Sequence, residues 1–172
     1  VAPNKLVWRL ADVLARHKGK QSWMQPVFHS RDYDGAWISM APGEKTKTQF
    51  YADDRVFWVV QSGQMKVTIE GQEPFIASKH FLIQVPKRLQ YSMEVVGNEP
   101  ALRFEMRPAG ESPDYPLSET PTPVKGVQYI QAVYSGHGTY DGKVNVPYID
   151  FEKQIVQGGE KRGVWLRDDN NY

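Results

Sequence analysis

The chain has 172 residues and a mass of 19.7 kDa, which is enough for one domain with a substantial buried core. Its 21 Lys and Arg against 20 Asp and Glu leave no net field that favours nucleic acid or an acidic membrane as a partner. No apolar run approaches the roughly 20 residues that span a bilayer, so we expect no membrane insertion. The absence of cysteine excludes disulfides, thiolate nucleophiles and Cys-based zinc sites.

The first three residues, Val1-Ala2-Pro3, do not include a methionine. Signal cleavage, methionine removal and trimming of the chain all explain such a start, and no targeting segment decides among them. The compartment stays open on these grounds, with a periplasmic or secreted location as our expectation.

An amphipathic helix is predicted over residues 4–18, the first segment of the domain. Its apolar face consists of four residues at helical spacing: Leu6, Leu10, Val13 and Leu14. Asn4 is the predicted N-cap and Gly19 the predicted stop. We expect this helix to pack across a barrel or against a partner.

Short β-prone runs follow over residues 24–107, the predicted barrel core, and Gly and Pro separate them. The candidate strands are Pro26–His29, Ala36–Met40, Thr46–Tyr51, Val56–Gln61, Met65–Glu70, His80–Gln84, Gln90–Val95 and Ala101–Met106. Many short strands with turns at such intervals indicate an all-β sandwich or barrel.

Two of these strands alternate clearly between apolar and polar residues. Met65, Val67 and Ile69 alternate with Lys66, Thr68 and Glu70, and Leu102, Phe104 and Met106 alternate with Arg103, Glu105 and Arg107. The pattern is typical of a half-buried antiparallel strand with its apolar residues on the core face.

The remaining third of the chain begins with a proline-rich connector over residues 108–123, predicted to be a linker or a surface arm. In the C-terminal extension, residues 124–172, we predict strands at Gly126–Tyr134, Val144–Phe151 and Gly163–Leu166. We expect this extension to add strands to the barrel or to cross to a second subunit. Because it and the first helix would cover sheet edges, the sequence favours a homodimer.

Residues 42–95 carry two spaced motifs. Gly43 is followed after five residues by Gln49-Phe50-Tyr51 and then, after three more, by Arg55. Pro86-Lys87-Arg88 is followed after two residues by Tyr91. This spacing resembles the two signature motifs of the cupin family.

The resemblance implies an all-β, cupin-type double-stranded β-helix, or jelly-roll barrel, with the N-terminal helix and C-terminal strand extension added to it. In the family, two His, a Glu and a third His hold a metal inside the barrel. Those positions here hold Gln49, Tyr51, Arg55 and Tyr91. Assignment of Arg55 depends on register, since the closing Gly63 comes one residue late and shifting to Val56 restores the count.

These four residues are a poor metal-binding set. A Gln amide and neutral Tyr are weak ligands for first-row metals, and Arg is a cation. We therefore expect neither a metal nor a cofactor. Facing inward, the same side chains would form a pocket for a small polar or anionic molecule, with Trp37 at its rim.

Three functions remain open. The first is metal-free binding of such a molecule at Gln49, Tyr51, Arg55, Tyr91 and Trp37. The second is a metal-independent isomerase, epimerase or lyase with Tyr51 or Tyr91 as the acid or base. The third is a structural or interaction role for a closed barrel whose polar groups only satisfy one another. Whether the chain is an enzyme stays undecided.

A different metal site is also conceivable from the histidines. His29 and His80 lie in predicted strands and, together with Glu94, would supply three ligands if they met in space. The sequence alone does not show whether these three side chains lie close together.

Overall fold

The structure is a computed structural model that describes residues 5, 7–123, 125–126, 128–143 and 145–158. Its helices are α1 Leu10–Arg16 and α2 Phe151–Gly158. Its strands are β1 Trp23–His29, β2 Tyr33–Met40, β3 Val56–Ser62, β4 Gln64–Ile69, β5 Phe75–Ala77, β6 Phe81–Val85, β7 Tyr91–Val96, β8 Ala101–Pro108 and β9 Tyr148–Asp150. No helix in these ranges is long and apolar enough to cross a membrane.

The strands form two antiparallel sheets around one core. The larger has the order β1-β2-β8-β3-β6-β9 and the smaller the order β5-β4-β7. Residues 43–50 extend the smaller sheet, because they pair with β7 through isolated bridges such as Gln49–Tyr91. Phe50 in turn exchanges two backbone hydrogen bonds with Asp114, at 3.0 and 2.8 Å. The predicted all-β barrel is confirmed.

Apolar side chains from both sheets fill the space between them. The large side chains of this core that are fully buried are Val56, Trp58, Val60, Met65, Val67, Ile69, Ile83, Val85, Tyr91 and Val95. They occupy alternate positions along their strands, as expected when one face of each strand lines the interior. β4 follows the sequence prediction, because Met65, Val67 and Ile69 point inward while Lys66 and Thr68 are exposed.

β8 faces the opposite way to the prediction. Arg103 and Glu105 are only 5% and 6% exposed and lie on the barrel side, whereas Phe104 and Met106 are half-buried on the outer side. The outer side is apolar as well, since Trp37 of the neighbouring β2 lies beside Phe104 on the same face, with their ring centroids 5.1 Å apart. The inner face accommodates the two charges because they pair with each other, the Arg103 Nε donating to Glu105 Oε2.

The N-terminal helix is shorter than predicted. α1 begins at Leu10 because Arg9 has an extended backbone (φ −85°, ψ 127°), and residues 7–9 are not helical. Val13 is fully buried, but Leu14 from the predicted apolar face is 45% exposed. The predicted cap Asn4 lies outside the described residues.

Three predicted strands need correction. Thr46–Tyr51 is a run of isolated bridges, and Gly126–Tyr134 makes a single parallel bridge, Tyr115–Gln131. Val144–Phe151 contains β9, which pairs with β6, but the chain turns helical at Phe151. The reason is a cap, since the Asp150 carboxylate accepts the Lys153 N–H at 3.0 Å.

The last predicted strand, the short strand β5 and the proline-rich connector complete the comparison with the sequence. The segment Gly163–Leu166 lies outside the described residues. β5 was not predicted, being only three residues long. Within the connector, Asp114 and Tyr115 are 6% and 8% exposed and join the sheet edge instead of lying on the surface.

Candidate functional site in the barrel interior

Three predicted site residues meet on the inner face of the smaller sheet. Gln49 and Tyr91 are directly paired across the strands, and the Gln49 Nε2 donates to the Tyr91 hydroxyl at 3.0 Å. Tyr51 lies two residues along the same face. The tyrosines are 3% and 1% exposed, Tyr51 and Tyr91 respectively, so both hydroxyls are deep in the barrel.

Trp58 on β3 lies beside this pair and was not among the residues predicted for the site. Its ring lies 5.5 Å from that of Tyr91 between centroids, and its side chain is 1% exposed. The indole Nε1 is buried and has no hydrogen-bond acceptor. A buried donor of this kind costs about 1–3 kcal/mol when it stays unsatisfied.

The cations of the interior come from β8. The Arg103 Nε donates to Glu105 Oε2 at 2.9 Å, and its Nη1 donates to Met40 Sδ at 3.0 Å. Two residues beyond Glu105, Arg107 lies close enough to the Tyr51 hydroxyl to lower its pKa, and its Nη2 contacts Met24 Sδ at 4.0 Å. Glu105 is directly opposite Trp58 in the strand register. The charged residues of β8 were not predicted to face the interior, because an alternating sequence defines two faces of a strand without showing which of them is buried.

Both phenols are held in their neutral form. Burial raises the pKa of Tyr51, and the nearby Glu105 carboxylate raises it further, while Arg107 partly offsets the effect. Burial also raises the pKa of Tyr91 well above its usual range, with Tyr51 and Glu105 adding to the shift. At neutral pH these hydroxyls are therefore hydrogen-bond donors and acceptors, with no phenolate present.

Two predicted site residues lie elsewhere. Trp37 points to the outer face of β2, where it packs on Phe104, because its neighbours Ala36 and Ile38 are the ones that face inward. The structure therefore places the Trp37 side chain on the opposite face of the sheet from the tyrosine pair. Arg55 comes immediately before the inward-facing Val56. It lies near Tyr140, where its charge partly offsets the rise in the pKa of Tyr140 that burial causes.

The conceivable histidine site does not assemble. The His29 Nδ1 contacts Asp34 at 2.5 Å, the His80 Nδ1 contacts Glu152 at 2.5 Å, and Glu94 pairs with Lys45 at 2.9 Å. Within the described ranges, no group of three or more His, Asp and Glu side chains is placed to hold a metal ion.

The interior also fails to match the metal centre that the cupin motif implies. Its polar groups are a Gln amide, two neutral phenols, an indole N–H and an Arg–Glu pair. Trp58 offers a donor where a cation needs an electron pair, and Arg103 and Arg107 repel a cation. These residues are suited to accepting an electron-rich ligand.

No protein-family model matches this chain, and no curated protein matches it. Several solved structures are similar to it. A protein from Bacillus halodurans is 15% identical with a TM-score of 0.55, over 64% of this chain and 86% of that chain. An uncharacterized conserved protein with a double-stranded beta-helix domain from Klebsiella pneumoniae is 13% identical with a TM-score of 0.53, over 62% and 87%.

The chain has the cupin fold. A cupin described as RmlC-like, from Methanocaldococcus jannaschii, is also similar, at 17% identity and a TM-score of 0.47 over 54% of this chain and 84% of that chain. At such identities the likeness to the Bacillus and Klebsiella structures extends to the fold and not to an activity. Function has to be argued from the residues in the barrel.

Proposed function

We propose that this cupin-type barrel binds a small polar or anionic molecule in its interior without a metal. The observation that carries the proposal is the Trp58 indole N–H, which is buried in the barrel without an acceptor. Buried donors are nearly always paired in native proteins, so this one favours a ligand oxygen beside it.

The chemistry around Trp58 favours a ligand with negative charge. Arg103 and Arg107 approach from one strand, and a guanidinium matches the planar shape of a carboxylate. Glu105 already balances Arg103 through a hydrogen bond at 2.9 Å, whereas Arg107 has a weaker contact with Met24 Sδ at 4.0 Å and lies opposite Asp34 on β2, so we propose Arg107 as the cation that meets the ligand. Tyr51 lies next to Arg107 and adds a neutral hydroxyl to the same set.

The ligand has to be small. Trp58 and Tyr91 are each 1% exposed, and Tyr51 is 3% exposed, so large side chains occupy most of the interior. We infer a molecule of a few non-hydrogen atoms, of which formate and acetate are the simplest representatives.

Binding is favoured over acid–base catalysis by the state of the phenols. A general base works best when its pKa is near the operating pH. The pKa values of Tyr51 and Tyr91 are both raised, mainly by burial, which moves them away from neutrality. Neutral phenols suit ligand recognition, and we rank the isomerase, epimerase or lyase alternative below binding for this reason.

A thermal-shift screen tests the proposal. Small carboxylates should raise the melting temperature of the protein in a concentration-dependent manner, whereas sugars and sugar nucleotides, which are too large, should not. Trp58→Phe removes the indole N–H and keeps an aromatic ring, so it should weaken the carboxylate shift. Trp37→Phe is the matched control on the outer face and should leave the shift unchanged.

The alternatives give different results. A barrel that is closed and structural shows no shift with any small carboxylate at millimolar concentration, and that result contradicts the proposal. If a carboxylate stabilises the protein equally in both tryptophan variants, the ligand is not held at Trp58. Turnover of a bound ligand, lost in Tyr51→Phe or Tyr91→Phe while binding persists, would establish the enzyme instead.

A further inference from the structure

The segment Gln128–Tyr134, called the edge segment below, borders the smaller sheet beyond the connector. Its sequence is Q-Y-I-Q-A-V-Y. It meets the sheet at one point, the parallel bridge between Gln131 and Tyr115. Although its sequence predicts a strand, only one of its two sides is in contact with the sheet.

The backbone on the other side of the edge segment is available for pairing. The Tyr115 N–H donates to the Ile130 carbonyl at 2.9 Å, and the Ala132 N–H donates to the Tyr115 carbonyl at 3.0 Å. Gln131, the bridged residue, directs its own N–H and carbonyl away from Tyr115, and in an extended strand Tyr129 and Val133 direct theirs to the same side. Within the described part of the chain, these groups make no backbone hydrogen bond.

The composition of the edge segment is unusual for a sheet edge. Natural edges are protected by charged residues, prolines or bulges that prevent pairing with another chain. This segment has no charge and no proline, and β-branched and aromatic residues dominate it. Its side chains are also exposed: Ile130 by 54%, Val133 by 78% and Tyr134 by 38%.

We propose that the edge segment pairs with the same segment of a second copy of this chain, as two antiparallel strands related by a two-fold axis at Gln131. Gln131 then lies opposite its own copy, and Tyr129 lies opposite Val133. The free backbone groups fall in register, giving three hydrogen-bonded residue pairs and about six backbone bonds. The inference concerns assembly and does not depend on a ligand in the barrel.

The chemistry of the edge segment fits a second copy. An isologous interface has to be self-complementary. A neutral segment places no like charges opposite one another, and a Tyr–Val pair across antiparallel strands is stabilising. A strongly basic or acidic partner would find no opposite charge within these seven residues.

Sedimentation velocity across a concentration series tests the pairing with the full chain. Wild-type protein should be a dimer. Val133→Pro removes a backbone donor from the free side, and should raise the dimer dissociation constant by about tenfold or more. Because Val133 is 78% exposed, the variant should keep the thermal stability of the monomer.

Two control variants distinguish backbone pairing from nonspecific association of apolar side chains. Val133→Thr keeps the N–H and the branched shape, and Leu117→Ser removes another exposed apolar residue, 68% exposed, outside the edge segment. Both should remain dimeric. Amide hydrogen exchange should show protected Gln131 and Val133 N–H groups in the wild type, and fast exchange at Gln131 in Val133→Pro.

Three results would overturn the proposal. The first is a wild-type protein that is monomeric at every concentration. The second is a Val133→Pro variant that dimerises as tightly as wild type. The third is equal weakening by Val133→Pro, Val133→Thr and Leu117→Ser, which would indicate apolar association of side chains without strand pairing.

Discussion

Strands β4 and β8 have the same alternating sequence pattern and opposite orientations. On β4 the apolar residues face the barrel, and Lys66 is exposed. On β8 the buried inner positions hold Arg103 and Glu105, while Phe104 packs on the outer face. β4 follows the rule for a sheet with one solvated face, whereas β8, a central strand between β2 and β3, has apolar, half-buried residues on its outer face.

The two strands therefore contribute different groups to the interior: apolar side chains from β4 and a buried ion pair from β8. An ion pair in a barrel interior gains little stability over well-packed apolar residues, because desolvation offsets the attraction. The inward-facing residues of β4 contribute apolar packing to the core. The charged inner face of β8, next to Trp58 and the tyrosines, is the part of the barrel that we propose to act in ligand recognition.

The largest expected effect comes from breaking the β8 ion pair. Glu105→Gln leaves the Arg103 cation buried without a counter-charge, and should lower the free energy of unfolding by about 3–5 kcal/mol. Lys66→Gln, the matched change on exposed β4, should stay within about 0.5 kcal/mol of wild type. Urea unfolding measures both. Similar values for the two variants would mean that β8 does not bury its charges.

Replacing both members of the pair sharpens this comparison. Arg103→Met with Glu105→Leu removes the charges together, so it should recover most of the stability that Glu105→Gln loses. Recovered stability without carboxylate binding would assign the pair to function. A double variant as unstable as Glu105→Gln would instead assign it to the fold.

An intermediate effect is expected in the polar layer that β8 faces. Tyr91→Phe deletes the hydroxyl that accepts the Gln49 amide inside the barrel, and should cost about 1–2 kcal/mol of unfolding free energy. Tyr148→Phe is the control, because this phenol is 39% exposed and should change stability very little. Thermal unfolding of the two variants in parallel distinguishes them, and equal losses would contradict the buried hydrogen bond.

The smallest effect concerns Glu111, just beyond the end of β8. It lines a cleft of about 320 Å³ with Asp53 and Asp114. Burial and these two acids raise the pKa of Glu111 from 4.5 to about 7. The folded protein therefore binds more protons than the unfolded chain between these values, so stability falls as the pH rises through this window.

Glu111→Gln should flatten that part of the pH–stability curve and stabilise the protein at pH values above the raised pKa. Partial exposure of the group screens the interaction, so we expect a change below about 1 kcal/mol. Denaturant unfolding at a series of pH values measures it. An unchanged slope in Glu111→Gln would show that another group titrates.

The sequence predicted the barrel because strand period and turn residues are local signals. It also located Gln49, Tyr51 and Tyr91, since motif spacing places them on facing positions of neighbouring strands. The orientation of β8 was wrong because it depends on what covers each face, which is a tertiary property. Arg55 depended on a one-residue choice of register, and in the structure the next residue, Val56, is buried in the core.

The most direct test of the barrel site is nuclear magnetic resonance of the five indole N–H groups during titration with formate or acetate. We predict that the Trp58 indole resonance moves downfield as its N–H gains an acceptor, and that the Trp37 resonance on the outer face stays in place. A Trp58 resonance that does not respond at millimolar carboxylate, in a folded protein, would contradict ligand binding in the barrel.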